Sequence, residues 1–213
     1  MARFIFVSLA LGLWAGAAQA DGPVSLDDIE VYDRADWSRE ATDCDRLAGH
    51  PNDPERVGEG AARADIDLDA AIDACRAALA DDPDNPRLNY QLARVYGYAG
   101  RHEEGDPYRD RALTAGYPQS LFVVGYIRLE GWDGRGKDAC YGGELIRRSA
   151  LAGRYAGLVG FPHYALNGLF DDCRSYPAVD RAELKRFLDQ AEPRSQTYYQ
   201  GLLVEALKGR LGA

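Results

Sequence analysis

Four cysteines, three histidines and a scatter of acidic pairs are the residues of this 213-residue chain that could do chemistry. Cys44, Cys75, Cys140 and Cys173 include no close C-x-x-C pair, which is the usual spacing of a zinc site. Nothing in the sequence ties one of them to a particular histidine, so a thiol nucleophile is not indicated either. An even number of cysteines in an exported chain points to disulfides, with three pairings open by arithmetic alone. His50, His102 and His163 fall in three different segments, none with a second His or Cys at helical spacing. Asp65-Ile66-Asp67-Leu68-Asp69 begins like a calcium loop, but such a loop then needs Gly at its sixth position and Glu at its twelfth. Ala70 and Arg76 stand there, and the stretch reads instead as an acidic helix start favoured by the helix dipole. Gly134-Arg135-Gly136-Lys137-Asp138 lacks the GK[ST] of a phosphate-binding loop and reads as a turn. No G-x-S-x-G occurs. The expectation is therefore a non-enzymatic protein with no catalytic residue, no metal and no cofactor.

The ends and the charge bound the setting. Arg3, the apolar run Phe4 to Leu13 and the small-residue site Ala18-Gln19-Ala20 form a secretory signal pattern over residues 1–20, cleaved before Asp21. No cysteine follows that site to carry a lipid, and no later segment is long and apolar enough for membrane insertion. The formal net charge of −9, with no compensating basic tract, disfavours nucleic acid and anionic membrane surfaces as partners. Residues 21–40 read as an acidic N-terminal arm docked through Tyr32 and Trp37, and residues 41–213 as one domain.

That domain reads as all-α. A short helix over Thr42 to Leu47 carries Cys44, and a long loop rich in Gly, Pro and charge follows. Leu68, Ile72, Cys75, Ala78 and Leu79 recur at helical spacing, and Pro86 opens the next helix. From Asp81 to Gly116 two short helices meet near Gly100. The second is expected to start late, with Asp106 as cap and Pro107 in its first turn. Helices follow from about Gln119 to Gly131, Ala139 to Ala152, Tyr155 to Phe170 (kinked at Pro162) and Asp180 to Gln190. The last carries Leu202, Leu203, Ala206 and Leu207 on one face.

With Leu92, Ala93, Tyr96, Gly100 and Ala112 at these offsets, the stretch from Asp81 to Gly116 resembles a tetratricopeptide repeat, Gly105 and Arg109 replacing the family's small alanine and aromatic. Val124-Gly125, Gly131 and Ser149-Ala150-x-x-Gly153 make the next unit similar to a SEL-like repeat. The resemblance implies a right-handed α/α solenoid of helix-turn-helix repeats with a C-terminal capping helix. In that architecture Cys140 and Cys173 lie at the same end of one hairpin, and Cys44 and Cys75 on neighbouring helices. The implied disulfides are thus Cys44–Cys75 and Cys140–Cys173.

In tetratricopeptide proteins the first helix of each repeat lines a groove that binds peptides or partner segments. Carried over by register, this assigns the groove to Arg87, Tyr90, Arg94, Tyr98, Gln119, Phe122, Tyr126 and His163. Arg87 and Arg94 resist burial and would draw an acidic or carboxylate-ended protein segment. The function implied is a scaffold for protein interaction in the cell envelope, periplasmic or secreted. Two alternatives remain at this stage. One is an envelope hydrolase acting on β-lactam or peptidoglycan-type ligands. The other is a structural subunit whose groove is filled by its own arm, residues 21–40.

Overall fold

The computed structural model describes residues 23–132, 134 and 136–212. The expected signal segment, its cleavage point and the first two residues of the arm lie outside them. The described residues are all-helical, without strands. They form nine α-helices: α1 (Asp43–Ala48), α2 (Leu68–Asp81), α3 (Pro86–Tyr98), α4 (His102–Thr114), α5 (Pro118–Glu130), α6 (Ala139–Leu151), α7 (Tyr155–Leu166), α8 (Arg181–Ala191) and α9 (Tyr198–Arg210). None is long and apolar enough to cross a membrane.

The helix starts follow from local chemistry. The Asn85 side chain accepts from the amides of Arg87 and Leu88, and Pro86 occupies the first helical position, where its missing N–H costs nothing. Asp138 and Asp180 cap α6 and α8 in the same way. Thr42 with Asp45, and Thr197 with Gln200, make capping boxes for α1 and α9. The late start expected for α4 does not occur. That helix begins at His102, with Pro107 inside it. The proline removes the bond to the Glu103 carbonyl, but both residues lie on the exposed face, where water satisfies the freed oxygen. The expected extension of α7 to Phe170 also fails. The helix ends at Leu166 and the chain turns at Gly168, with φ of +76°. Phe170 then folds back onto Phe161, ring centroids 5.4 Å apart, and abuts Gly143.

Successive helices pack on one another, most extensively in the pairs α3–α4 and α5–α6. The α5–α6 crossing is tight. A Cβ at Gly125 would stand 2.8 Å from the Gly142 carbonyl oxygen, and one at Gly142 would stand 2.6 Å from that of Gly125. One core cluster joins α1, α2 and α3 through Cys44, Ile72, Leu88, Leu92 and Tyr96. Another joins α6 to α9 through Ile146, Leu158, Phe161, Leu184 and Leu188. In α9 the buried stripe is Val204 and Leu207, three residues apart, while Leu202, Leu203 and Ala206 are exposed, contrary to the expected face. Two disulfides, Cys44–Cys75 and Cys140–Cys173, close the two clusters, and no cysteine is free.

The N-terminal arm bridges the clusters. Leu26 and Ile29 are buried with Leu113, Leu121, Tyr141 and Leu145. The Glu30 amide donates to the Thr114 carbonyl at 2.8 Å, and the Tyr141 hydroxyl donates to the Val24 carbonyl at 2.7 Å. The arm is therefore anchored by aliphatic burial and backbone bonds, and of the two aromatics expected to dock it only Tyr32 has a ring partner, Tyr117 at 5.5 Å.

Candidate binding surface

The first helices of the three hairpins, α3, α5 and α7, supply the side chains singled out for a groove. The structure divides them. On α3 the polar groups face the chain's own loop, residues 49–62, and the end of its arm. Arg87, only 3% exposed, forms an ion pair with Asp45, which is 2% exposed. The second guanidinium nitrogen of Arg87 donates to the carbonyls of Ser38 and Glu40 at 3.3 and 3.2 Å. Gln91 Nε2 donates to the same Asp45 carboxylate at 2.9 Å. Arg94, 8% exposed, donates from Nη1 to the Ala48 and Gly49 carbonyls at 2.7 and 2.8 Å and from Nη2 to that of Ala61 at 2.9 Å. Arg87 and Arg94 thus direct their guanidinium donors into the chain itself, and of the two Arg94 also reaches a cavity wall. A long side chain carrying a fork of donors is what allows a loop to end under a helix with its carbonyls satisfied.

The middle of that loop is pinned by Asp53, which is fully buried. The Tyr117 hydroxyl donates to its Oδ2 at 2.7 Å and the Glu55 amide to its Oδ1 at 2.9 Å. Burial raises the Asp53 carboxyl to about 6, and burial beside that carboxylate holds the Tyr117 hydroxyl well above its ordinary value. At the loop entrance, burial lowers His50 to about 4, helped by the positive charges of Arg94 and Arg154. Arg34 and Arg39 of the arm clasp Glu55 from outside, at 2.6 and 3.2 Å. Tyr90 and Gln119 are likewise buried, joined by a 3.2 Å hydrogen bond from Gln119 Nε2 to the Tyr90 hydroxyl.

Two cavities open beyond the loop. The smaller, about 320 Å³, lies between α3, α4 and α5 and is lined by Tyr90, Arg94, Tyr98, Phe122 and Tyr126, with Trp132 at its rim. The larger, about 880 Å³, lies between α5, α7, loop residues 51–56 and the segment entering α9. Phe122, Tyr126 and His163 line it, so the Phe122–Tyr126 stack, 6.3 Å between centroids, is a wall common to both. Arg87 and Gln119 line neither.

Sequence reasoning passed over three residues of this surface: Trp132, which meets Tyr126 edge-on at 5.2 Å, Tyr164 and Arg154. Arg154 stands at the N-cap position of α7 and lines the larger cavity, 5% exposed, its guanidinium 5.0 Å from the centre of the Phe122 ring. Burial lowers its pKa from the ordinary arginine value. The signal available in the sequence was a single cation heading the apolar, aromatic run Tyr155 to Leu166. Among the described residues, no group of three or more His, Cys, Asp or Glu side chains is placed to hold a metal ion.

A scan against protein-family models, and searches of curated proteins and of solved structures, found no match to the chain.

Proposed function

We propose that the protein is an exported α-solenoid of tetratricopeptide/SEL-like repeats, a non-enzymatic scaffold that binds a segment of another envelope protein across the α3–α5–α7 side. One observation carries this reading. The two cavities share Phe122 and Tyr126, so an aromatic trough continues from Tyr98 and Trp132 on one side to Tyr164 on the other. Aromatic side chains of limited rotamer freedom give large contact area at small entropic cost, which suits a surface that receives an extended segment. Two disulfides fit an oxidising compartment, the periplasm or the exterior. The preference for an acidic segment expected from Arg87 and Arg94 is withdrawn, because both guanidiniums are satisfied inside the chain.

The test is affinity co-purification of residues 21–213 from an oxidising envelope fraction, alongside a Tyr126→Glu/Trp132→Ala variant. Trp132 is 67% exposed and Tyr126 half-buried, so this pair probes the trough without breaking the interior. A defined protein retained by the native chain and lost by the variant is the expected result. A protein held equally by both places the contact elsewhere, and no retained protein removes the scaffold reading.

A further inference from the structure

The larger cavity has a charge pattern opposite to that of the chain. Among its lining residues are three arginines, Arg56, Arg154 and Arg194, and no aspartate or glutamate, in a protein with 34 acidic against 25 basic residues. Two of the arginines are tied to the backbone. Arg56 donates to the Asp53 carbonyl at 3.3 Å, and Arg194 to the Gly153 carbonyl at 3.0 Å. Arg154 is not. Among the described residues no acceptor takes a hydrogen bond from its guanidinium, its Nε is buried without a partner, and no carboxylate comes within ion-pair distance. The negative charge of Asp53 reaches it only through space. Burying a guanidinium to this degree is costly unless an anion meets it, and the ring of Phe122 offsets only part of that cost.

Two further features point at the same spot. Helix α7 starts at Tyr155 with no side-chain cap, and Tyr155 and Ala156 line the cavity, so its first-turn amides bring partial positive charge to it. The walls beside Arg154 are flat and aromatic: Phe122, Tyr126, Tyr155 and Tyr164. The hydroxyl of Tyr155 meets Ser195 Oγ at 3.2 Å across the mouth. A volume of about 880 Å³ lies within the range that holds a small organic ligand.

We infer that this cavity binds a small carboxylate carried on a flat, ring-containing body, with Arg154 as the anion-binding residue and Phe122 and Tyr164 as the faces that sandwich the ring. The site shares Phe122, Tyr126 and Tyr164 with the segment-binding trough and differs from it in chemistry: it recognises a charge, and it needs no second protein.

The experiment is isothermal titration calorimetry on the oxidised protein with indole-3-acetate and its neutral isostere indole-3-acetamide. The acid is expected to bind at least tenfold more tightly than the amide. Arg154→Gln should weaken the acid at least tenfold and leave the amide unchanged, with its melting temperature checked alongside. A second variant guards against misfolding. A Cβ at Gly160, on the cavity wall, would meet nothing nearer than Phe122 Cε2 at 3.6 Å, so Gly160→Leu fills the cavity while keeping every charge. It should abolish binding of both compounds. Equal affinity for acid and amide, absence of heat with either, or unchanged acid binding by Arg154→Gln or Gly160→Leu would each overturn the inference.

Discussion

Arg87 and Arg154 are both arginines at the start of a helix, and both are almost wholly buried. The first meets Asp45 and two carbonyls, while the second meets an aromatic ring and a cavity. The N-terminal half of the molecule has α1, an arm and a loop of its own to lay against α3, and the guanidiniums of Arg87 and Arg94 find their acceptors there. The C-terminal half has no such loop over α7, and its cation is left facing space. The same residue type is therefore architecture in one half and a recognition element in the other. Whether the chain itself supplies the acceptor decides which.

The contrast breaks most directly at the two arginines. Arg87→Ala strands the buried Asp45 carboxylate and should cost about 3–5 kcal/mol in chemical denaturation. Arg154→Gln removes an unsatisfied buried donor and should be neutral or stabilising, by at most about 1 kcal/mol. If Arg154→Gln destabilises as much as Arg87→Ala, the two halves do not differ in kind.

Each half also has its own covalent clamp, with cysteines 31 residues apart in the first and 33 in the second. Replacing either pair by alanines should lower stability by about 3–4 kcal/mol through the freed unfolded chain. The near-equal spans predict near-equal losses. Differential scanning calorimetry of the two variants would expose an asymmetry if the clamps also hold different amounts of native structure.

The loop carries a pH signature that the open half lacks. Asp53 titrates at about 6 when folded and at 3.8 in an ordinary setting. Its raised value means that the folded state binds the extra proton between those limits. This contribution to stability is complete below about 4 and is lost as pH rises through 6. Asp53→Asn should thus gain on the native protein with rising pH, by about 2–3 kcal/mol between pH 4 and 7, since each unit is worth about 1.4 kcal/mol. The neighbouring His50, lowered to about 4, works the opposite way and loses stability as pH falls from 6.5. Comparing variant with native protein at each pH cancels that histidine. A pH-independent difference would sink the assignment.

The smallest effects separate tight packing from open space. Gly125→Ala forces a Cβ to 2.8 Å from the Gly142 carbonyl oxygen and should cost about 1–3 kcal/mol. Gly160→Ala meets only ordinary contacts and should stabilise α7 by about 0.5–1 kcal/mol, the usual helix-propensity gain. Urea titrations of the two should move in opposite directions.

The helices were legible where a first-turn proline or an apolar period announced them, as at Pro86 and along the Leu68–Leu79 stripe. The pairing of the cysteines followed from helix order once a hairpin architecture was assumed. The α4 start misled because a proline beside an aspartate imitates a helix opening, and only the exposure of Glu103 and Pro107 shows why the helix runs through. The fate of Arg87 and Arg94 was illegible for a different reason. Most of their acceptors are main-chain carbonyls of residues 38–61, and no side-chain pattern signals a carbonyl. Asp53 and Tyr117, 64 residues apart, meet only because that loop crosses the helices. Arg154 escaped because register arithmetic looks along helix faces, whereas this residue acts from a helix end.

The Cys44–Cys75 bridge makes residues 44–75 a closed ring, and the loop that covers α3 lies wholly within it. A single cut by a protease anywhere in that loop therefore releases no fragment. Both cut ends stay fastened to α1 and α2, still beside the arginine that holds them, and the nicked molecule migrates as one species until its disulfide is reduced.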